Sequence, residues 1–326
     1  MNIKIGITIG DVGGVGPEII IKALGQVART IEGVRFLIFA PREVFERFRG
    51  KSWAANFFSL IDAFEIVPIE FEEPLPVPGE ESESGGKLSY LSIERAVRFA
   101  LSGEIQGVVT APVSKYAINK AGLKFVGQTE LLANMCGVEE VVMFFVGENL
   151  KVGLLTTHLP LREVAGALSK EVIVRKILLV DDFLRKRFGI RCARFALLGL
   201  NPHSGEGGVI GDEEEKVFLP ALEHLSTKGV CIEGPFPADS FFARERYRAY
   251  DAIISPYHDQ GLVAFKILER SGVNTTIGLP FVRTSPDHGT AFDIAPQFIA
   301  DPESMISAIA LACGLCRAQP FEPEIV

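Results

Sequence analysis

Three histidines share one arrangement. His158 ends the run LLTTH, His203 follows LLGLNP, and His258 follows AIISPY. Each stands zero to four residues beyond an apolar run that reads as a buried strand, so parallel strands could bring all three imidazoles to one edge of a sheet. Three imidazoles around an open coordination position make a catalytic metal site, where a substrate oxygen is polarised and its developing charge is stabilised. The same pattern is compatible with three imidazoles that are hydrogen-bonded separately. The separations, 45 residues (158 to 203) and 55 residues (203 to 258), match no local zinc motif. Position relative to strands is therefore the whole of the signal. His224, on the polar face of ALEHLSTKG, reads as plain surface.

A second group lies around the third histidine, between Ser255 and Ala295. Lys266 and Arg283 offer a point charge and a planar fork for carboxylate or phosphate, and Asn274 can orient either. Lys266 sits in the apolar segment LVAFKIL, which argues against a merely solvated lysine. Gln128 and Thr129, in GQTELLA, fall at the mouth of a helix, where backbone N–H groups attract anions. A simple N-cap by Thr129 is the competing account. Asp239 falls in a loop after VCIEGPFP and could accept a proton or orient a ligand.

The elements that must position these groups alternate. IKIGITI, VRFLIFA, FEIVPIEF, GVVT, RFALL and YDAII read as strands, and VVMFFVGENL with KVGLLTTH as a hairpin-like pair. Helical patterns follow Pro17, cover 88–103 and 161–189 with a break near Ser169, and close the chain in ESMISAIALACGL. This is the grammar of an α/β fold with a largely parallel sheet. The stretch 72–86, EEPLPVPGEESESGG, reads as a solvated loop. The opening GDVGGVGPE gives a strand, a glycine turn and a helix, but its spacing is not GxGxxG and it has no Walker lysine.

The chain has 326 residues, 48% of them hydrophobic, which suits two domains sharing a cleft. A formal net charge of −8 argues against a general nucleic-acid partner, because phosphate backbones are held by clustered cations. No apolar run approaches the roughly 20 residues of a membrane span, and the N-terminus lacks the pattern of a secretory signal. Five cysteines, including the isolated pair Cys313 and Cys316, suggest reduced structural thiols in a cytoplasmic protein.

HGTAFDIA (288–295) resembles the HGSAPDIA loop with which isocitrate and isopropylmalate dehydrogenases hold the adenosine part of NAD(P). More widely, GDVGGVGPE, TAPVSK, GQTELLA, LNPHSGEGG, GPFPADSFF, SPYHDQG and VNTTIGLPFVRTSPDHGTAFDIA follow, in order, the PdxA family of 4-hydroxythreonine-4-phosphate dehydrogenases. The resemblance implies two α/β/α domains with an active-site cleft between them. It suggests a terminal domain (1–126 with 275–326) on the cofactor side and an inserted domain (127–274) with the metal ligands and dimer interface. It places metal ligands at His158, His203 and His258, and substrate contacts at Gln128, Thr129, Lys266, Asn274 and Arg283. Cofactor contacts fall at His288, Gly289, Thr290, Ala291 and Asp293.

The implied enzyme is a homodimer whose site draws on both subunits. It uses NAD or NADP and one divalent metal, zinc foremost, with magnesium or cobalt as alternatives. The implied reaction oxidises 4-phosphooxy-L-threonine at C3 and decarboxylates it to 3-amino-2-oxopropyl phosphate, in pyridoxal 5'-phosphate synthesis. Two departures stand out. Gln128 replaces the family's usual histidine, and Val12 and Gly13 replace proline and alanine in the opening turn. The first keeps open the sister activity on 4-phospho-D-threonate or 4-phospho-D-erythronate. From another class, the three histidines alone would also suit a zinc hydrolase.

Overall fold

A computed structural model of the chain describes residues 3–269 and 271–318. The chain divides into two compact units. One, the terminal unit, runs up to Glu139 and resumes at Leu279; the other, the central unit, spans Glu140–Gly278. The boundaries expected from sequence lay near 126 and 274; with the observed ones, Gln128 and Thr129 belong to the terminal unit.

The terminal unit begins with β1 (Ile3–Thr8), α1 (Gly16–Val27), β2 (Val34–Phe39), α2 (Glu43–Glu46), α3 (Ala55–Ser59) and β3 (Phe64–Val67). It continues through α4 (Glu83–Leu101), β4 (Gly107–Thr110), α5 (Lys115–Lys120) and α6 (Gln128–Cys136). The central unit holds β5 (Val142–Val146), β6 (Lys151–Leu154), α7 (Leu161–Ala167), α8 (Lys170–Phe183), β7 (Arg194–Leu198) and α9 (Leu219–Thr227). It ends with β8 (Cys231–Phe236), α10 (Ala238–Ala243), β9 (Ala252–Ser255), α11 (His258–Leu268) and β10 (Val273–Ile277). The chain then returns to the terminal unit with β11 (Val282–Pro286) and α12 (Glu303–Ala318).

The terminal unit's strands lie in the order β3-β2-β1-β4-β11, every pair parallel. All four residues of β4 are buried, as expected of a central strand covered on both faces. β3 stops before Pro68, which has no N–H to give a ladder, and forms the edge. Helix α4 packs through Leu88, Ser92, Ile93, Ala96, Val97 and Ala100, an i, i+4, i+5, i+8 stripe. Within that stripe Ser92 accepts a hydrogen bond from Ile9 N at 3.0 Å and donates to Phe39 O at 2.7 Å, tying the ends of β1 and β2 together.

The stretch 72–86 is not loop throughout. Ser82 accepts a hydrogen bond from Gly85 N and caps α4, which begins at Glu83, and Gly85 and Gly86 are buried. The end of a run read as a solvated loop from its composition is a capped helix start whose glycines allow close packing. A Cβ on Gly86 would overlap the Ala117 carbonyl and Ile118 N of α5.

In the central unit the order is β10-β5-β6-β9-β7-β8. β5 is antiparallel to both β10 and β6, whereas β6, β9, β7 and β8 run parallel. The hairpin-like reading of β5 and β6 is borne out, with Phe145 opposite Val152. One face of the sheet packs Phe145, Val152, Ala196 and Ile253 against Leu262 and Phe265 of α11. The segment after Val230 departs from expectation. It forms strand β8, and Asp239 sits in the first turn of α10 rather than in a loop. All five cysteines are free; Cys313 and Cys316 are buried, whereas Cys192 and Cys231 are exposed. No helix among the described residues is long and apolar enough to cross a membrane.

Gly86→Ala should destabilise the terminal unit by about 1–3 kcal/mol, the usual cost of overpacking. The midpoint of denaturant unfolding reads this out, and an unchanged midpoint would contradict the close α4–α5 approach.

Candidate active site

In the central unit β6, β9 and β7 are parallel neighbours, so their C-terminal ends share one edge. His158 follows β6, His258 follows β9 as the first residue of α11, and His203 follows β7. The edge is stitched by polar groups. Thr156 donates to Pro256 O at 2.7 Å, joining the ends of β6 and β9. Gln260 donates to Gly199 O at 2.7 Å, and its Oε1 lies 2.9 Å from Ser255 Oγ, joining the ends of β9 and β7. Sequence reasoning missed Gln260, Ser255 and Thr156 as organising residues; the polar triplet HDQ just after a strand was the only hint.

The rings of His158 and His258 lie 5.9 Å apart, centre to centre. A zinc ion lies about 2.0–2.1 Å from an imidazole nitrogen, so two rings sharing one ion lie roughly 5–6 Å apart. The observed spacing fits that requirement. His258 Nδ1 is 2.8 Å from Asp259 Oδ1, leaving Nε2 as the outward nitrogen, the usual way a carboxylate orients a ligating imidazole. Among the described residues, no group of three His, Cys, Asp or Glu side chains is close enough to hold a metal. The structure therefore pairs two of the expected imidazoles and leaves His203 outside that pair.

His203 begins a run of unusual backbone. His203, Ser204, Gly205, Glu206, Gly207 and Gly208 all have positive φ. Three of these carry side chains, and each such residue costs roughly 1–2 kcal/mol in the left-handed region. Strain of this kind concentrates where a side chain must be aimed.

The other expected central residues are dispersed. Lys266 is exposed on α11, eight residues beyond His258 and so roughly 12 Å along the helix axis. Asn274 lies on β10, and its Oδ1 is buried without a hydrogen-bond partner, as an atom meant for a ligand would be. Asp239 lines a cavity of about 550 Å³ with Tyr257, Asp259, Gln260, Phe242 and Val263.

In the terminal unit Arg283, on β11, is only 2% exposed. Its Nη2 donates to Thr110 Oγ1 at 2.7 Å and to Gln128 Oε1 at 2.8 Å, and its Nε reaches the same Thr110 oxygen at 3.1 Å. Burial lowers its pKa to about 10 while the carboxylate of Glu130 opposes that, so the group stays charged near neutrality. Gln128 completes its bonding by donating to Ala111 O at 3.2 Å. Gly127, not Thr129, is the N-cap of α6, and Thr129 is buried in the first turn. The N-cap alternative for Thr129 is thus set aside, and Arg283 and Gln128 are directly bonded.

The glycine turn and the 288–295 loop lock together within the same unit. Val15 N donates to Thr290 O at 2.9 Å, and a Cβ on Gly14 would lie 2.5 Å from that oxygen. Around this contact His288, Gly289 and Asp293 are exposed, and Ala291 has positive φ. Nothing lies within 4 Å of where a Cβ on Gly289 would stand. Open, exposed backbone beside a glycine turn fits close approach by a dinucleotide. Asp11, in the turn, is fully buried, with Oδ1 accepting from Gly13 N at 3.0 Å and Oδ2 without a partner. Burial pushes its carboxyl up to about 6; the Gly13 N–H pulls it down, and Glu81 pushes it further up.

The mostly parallel sheets, with paired imidazoles at one edge and a buried guanidinium and a glycine turn in the other unit, define an α/β protein with polar groups gathered beyond its strand ends. The sequence model of the family described as pyridoxal phosphate biosynthetic protein PdxA matches residues 26–312, and the chain belongs to that family. It is similar to the 4-hydroxythreonine-4-phosphate dehydrogenase of Desulforapulum autotrophicum, 40% identical over 94% of each chain. It is also similar to the D-threonate 4-phosphate dehydrogenase of Pectobacterium atrosepticum, 37% identical over 97% of this chain and 100% of that one. The crystal structure of 4-hydroxythreonine-4-phosphate dehydrogenase from Klebsiella pneumoniae superposes with a TM-score of 0.82. It is 37% identical and covers 98% of this chain and 99% of that one. These relatives are named dehydrogenases, which leaves the zinc-hydrolase alternative without support.

Asp11 supplies a test of the turn. Its folded pKa of about 6 exceeds the unfolded value of about 3.9, so the folded chain holds this proton more tightly between those values. Stability is therefore lost as pH rises through that window, and ionised Asp11 is a burden above it. Asp11→Asn should raise stability at pH 8 by up to roughly 3 kcal/mol, with the gain gone below about pH 4. Melting temperatures of both proteins across pH 4–8 measure it; a pH-independent difference would refute the assignment.

Proposed function

We propose that the chain is a metal-dependent, NAD(P)-linked decarboxylating dehydrogenase acting on 4-phosphooxy-L-threonine. Oxidation of the C3 alcohol gives a β-keto acid, and loss of CO2 leaves 3-amino-2-oxopropyl phosphate, in pyridoxal 5'-phosphate synthesis. The observation that carries this reading is the placing of three histidines at the ends of adjacent parallel strands, two of them at ligand spacing, in a PdxA-family chain.

In this reading His158, His203 and His258 hold one divalent ion, zinc before magnesium or cobalt, which suits imidazole donors. The cofactor supplies the hydride acceptor, and the metal supplies positive charge beside the reacting oxygen. Arg283 and Lys266 hold the substrate's anionic ends. Gln128 and Thr110 keep the guanidinium of Arg283 in one orientation, so that it meets an anion already ordered. Asn274 offers its unsatisfied Oδ1 to a substrate donor, and Thr129 lies in the first turn of α6 beside Gln128. Asp239, on the wall of the cavity it shares with Asp259, takes the proton of the alcohol. His288, Gly289, Thr290, Ala291 and Asp293 receive NAD or NADP. The protein works as a cytoplasmic homodimer, with a second subunit completing the set of ligands that one chain leaves open.

One feature favours a second reading. Gln128 stands where the family usually has histidine, and its carbonyl is committed to Arg283. A neutral amide here suits the sister activity on 4-phospho-D-threonate, the kind of substrate named for the Pectobacterium relative.

NADH formation from 4-phosphooxy-L-threonine and from 4-phospho-D-threonate, each with and without chelator, separates the readings. Turnover of the first, lost on metal removal and restored by Zn2+, is the expected result. Turnover that ignores the chelator would sink the mechanism, and turnover of the second substrate alone would move the chain to the sister activity. Gln128→His probes the guanidinium contact. An imidazole facing Arg283 is held neutral in the folded state, its pKa below the unfolded value of about 6.5. The variant should match the wild type at pH 8 and lose melting temperature as pH falls through about 6.5. Parallel pH profiles would show that the two side chains are not in contact.

A further inference from the structure

Glu214 is buried, at 2% exposure, in a helical turn that leads into α9, and nothing in the proposed chemistry uses it. Its carboxylate spans the entrance to the left-handed run at 203–208. Oε1 accepts a hydrogen bond from Asn201 N at 2.8 Å, and Oε2 accepts one from Asn201 Nδ2 at 2.8 Å. Asn201 is still extended, with φ −91° and ψ 157°, so both oxygens grip the chain two residues before His203, where it enters the turn. Two residues after His203 the same carboxylate is met again. A Cβ on Gly205 would lie 2.8 Å from Glu214 Oε2. Glu213 adds a further acceptor to Asn201 Nδ2, at 2.7 Å.

We infer that Glu214 is a positioning residue for His203, fixing the left-handed turn that presents this imidazole to the metal. The turn needs an external hold because side-chain-bearing residues do not choose positive φ unaided, and His203, Ser204 and Glu206 all adopt it. A buried carboxylate, for its part, is tolerated only when its oxygens are bonded, and Asn201 supplies both donors. The sequence-distant pair therefore locks the residues flanking His203 while touching no substrate. Glutamine in place of Glu214 would set an NH2 against one of the two Asn201 donors and release one side of the grip.

This inference rests on the metal reading, so the test is built to separate the two. Zn2+ affinity of the full-length chain is measured by competition with a chromophoric chelator, for wild type, Glu214→Gln, His203→Ala and Glu215→Gln. Glu215 is the exposed neighbour, and its variant controls for the change in charge. Glu214→Gln is expected to bind Zn2+ about 10–100-fold more weakly, the usual effect of losing a group that orients a ligand. Its kcat should return when Zn2+ is in excess, and Glu215→Gln should bind as the wild type does. Wild-type affinity in Glu214→Gln, with binding lost in His203→Ala, overturns the inference and leaves the metal reading standing. No binding by the wild type, or full binding by His203→Ala, overturns both. Activity lost in Glu214→Gln at unchanged affinity, and not restored by Zn2+, marks a purely structural role and also overturns it. Should Glu214→Gln fail to fold, Glu214→Asp carries the same comparison, its shorter side chain being unable to span both donors.

Discussion

A guanidinium inside the terminal unit sets terms that much of that unit obeys. Arg283 lies on β11 between buried neighbours, and an unpaired charge there would cost several kcal/mol. Two neutral oxygens are committed to it. Thr110, at the last position of β4, spends its hydroxyl on two guanidinium nitrogens, and Gln128 brings its carbonyl from the first turn of α6. The strand pair β4–β11, parallel with Arg283 opposite Val108, brings these groups together, and Gly127 ends the preceding loop so that α6 begins on the residue required. The guanidinium is held in direction by these two neutral oxygens, with the Glu130 carboxylate supporting its charge.

The central unit handles a different constraint. Parallel strands all end at one edge, so β6, β9 and β7 deliver their following residues to the same place with no further instruction. What the sheet cannot do is fix the loops. That work falls to Thr156 and Gln260, which donate to backbone carbonyls at neighbouring strand ends, and to Ser255, whose hydroxyl holds the Gln260 side chain. The catalytic candidates are thus supported by uncharged polar groups whose value lies in direction more than in strength.

How far this was legible in the sequence follows from what kind of interaction each feature uses. Apolar runs fixed the strands, and the position of three histidines after such runs was enough to place them at one edge. Features that depend on a tertiary neighbour were not legible. Glycines at 85 and 86 looked like a loop because composition cannot show that Asp11 lies against the first and α5 against the second. Thr129 looked like a cap because threonine caps well, yet Gly127 precedes it and takes that position. Asp239 was given to a loop, although Pro237 and Ala238 open a helix. Glu214 and Gln260 drew no notice, and Asn201 could be placed only at a strand end, since a polar residue beside a turn has no local signature of what it holds. The link from Gln128 to Arg283 joins residues 155 apart in sequence, which no reading of spacing could supply.

The separation of His203 from the other two imidazoles follows from the same division of labour. Neighbouring strands lie about 4.8 Å apart, so histidines placed alike after β6, β9 and β7 would stand in a row at that spacing. His158 and His258 come close to this, at 5.9 Å between ring centres. β7 is as near to β9 as β6 is, so the sheet alone does not set His203 apart. The difference arises after the strand, where Asn201 remains extended, Pro202 intervenes and the backbone turns left-handed at His203 itself. A loop that merely closed the connection to α9 would have no reason to adopt strained backbone at the one residue of the three that stands outside the pair. Placing that strain on His203, and clamping it from residue 214, makes its direction a property of the turn rather than of the sheet.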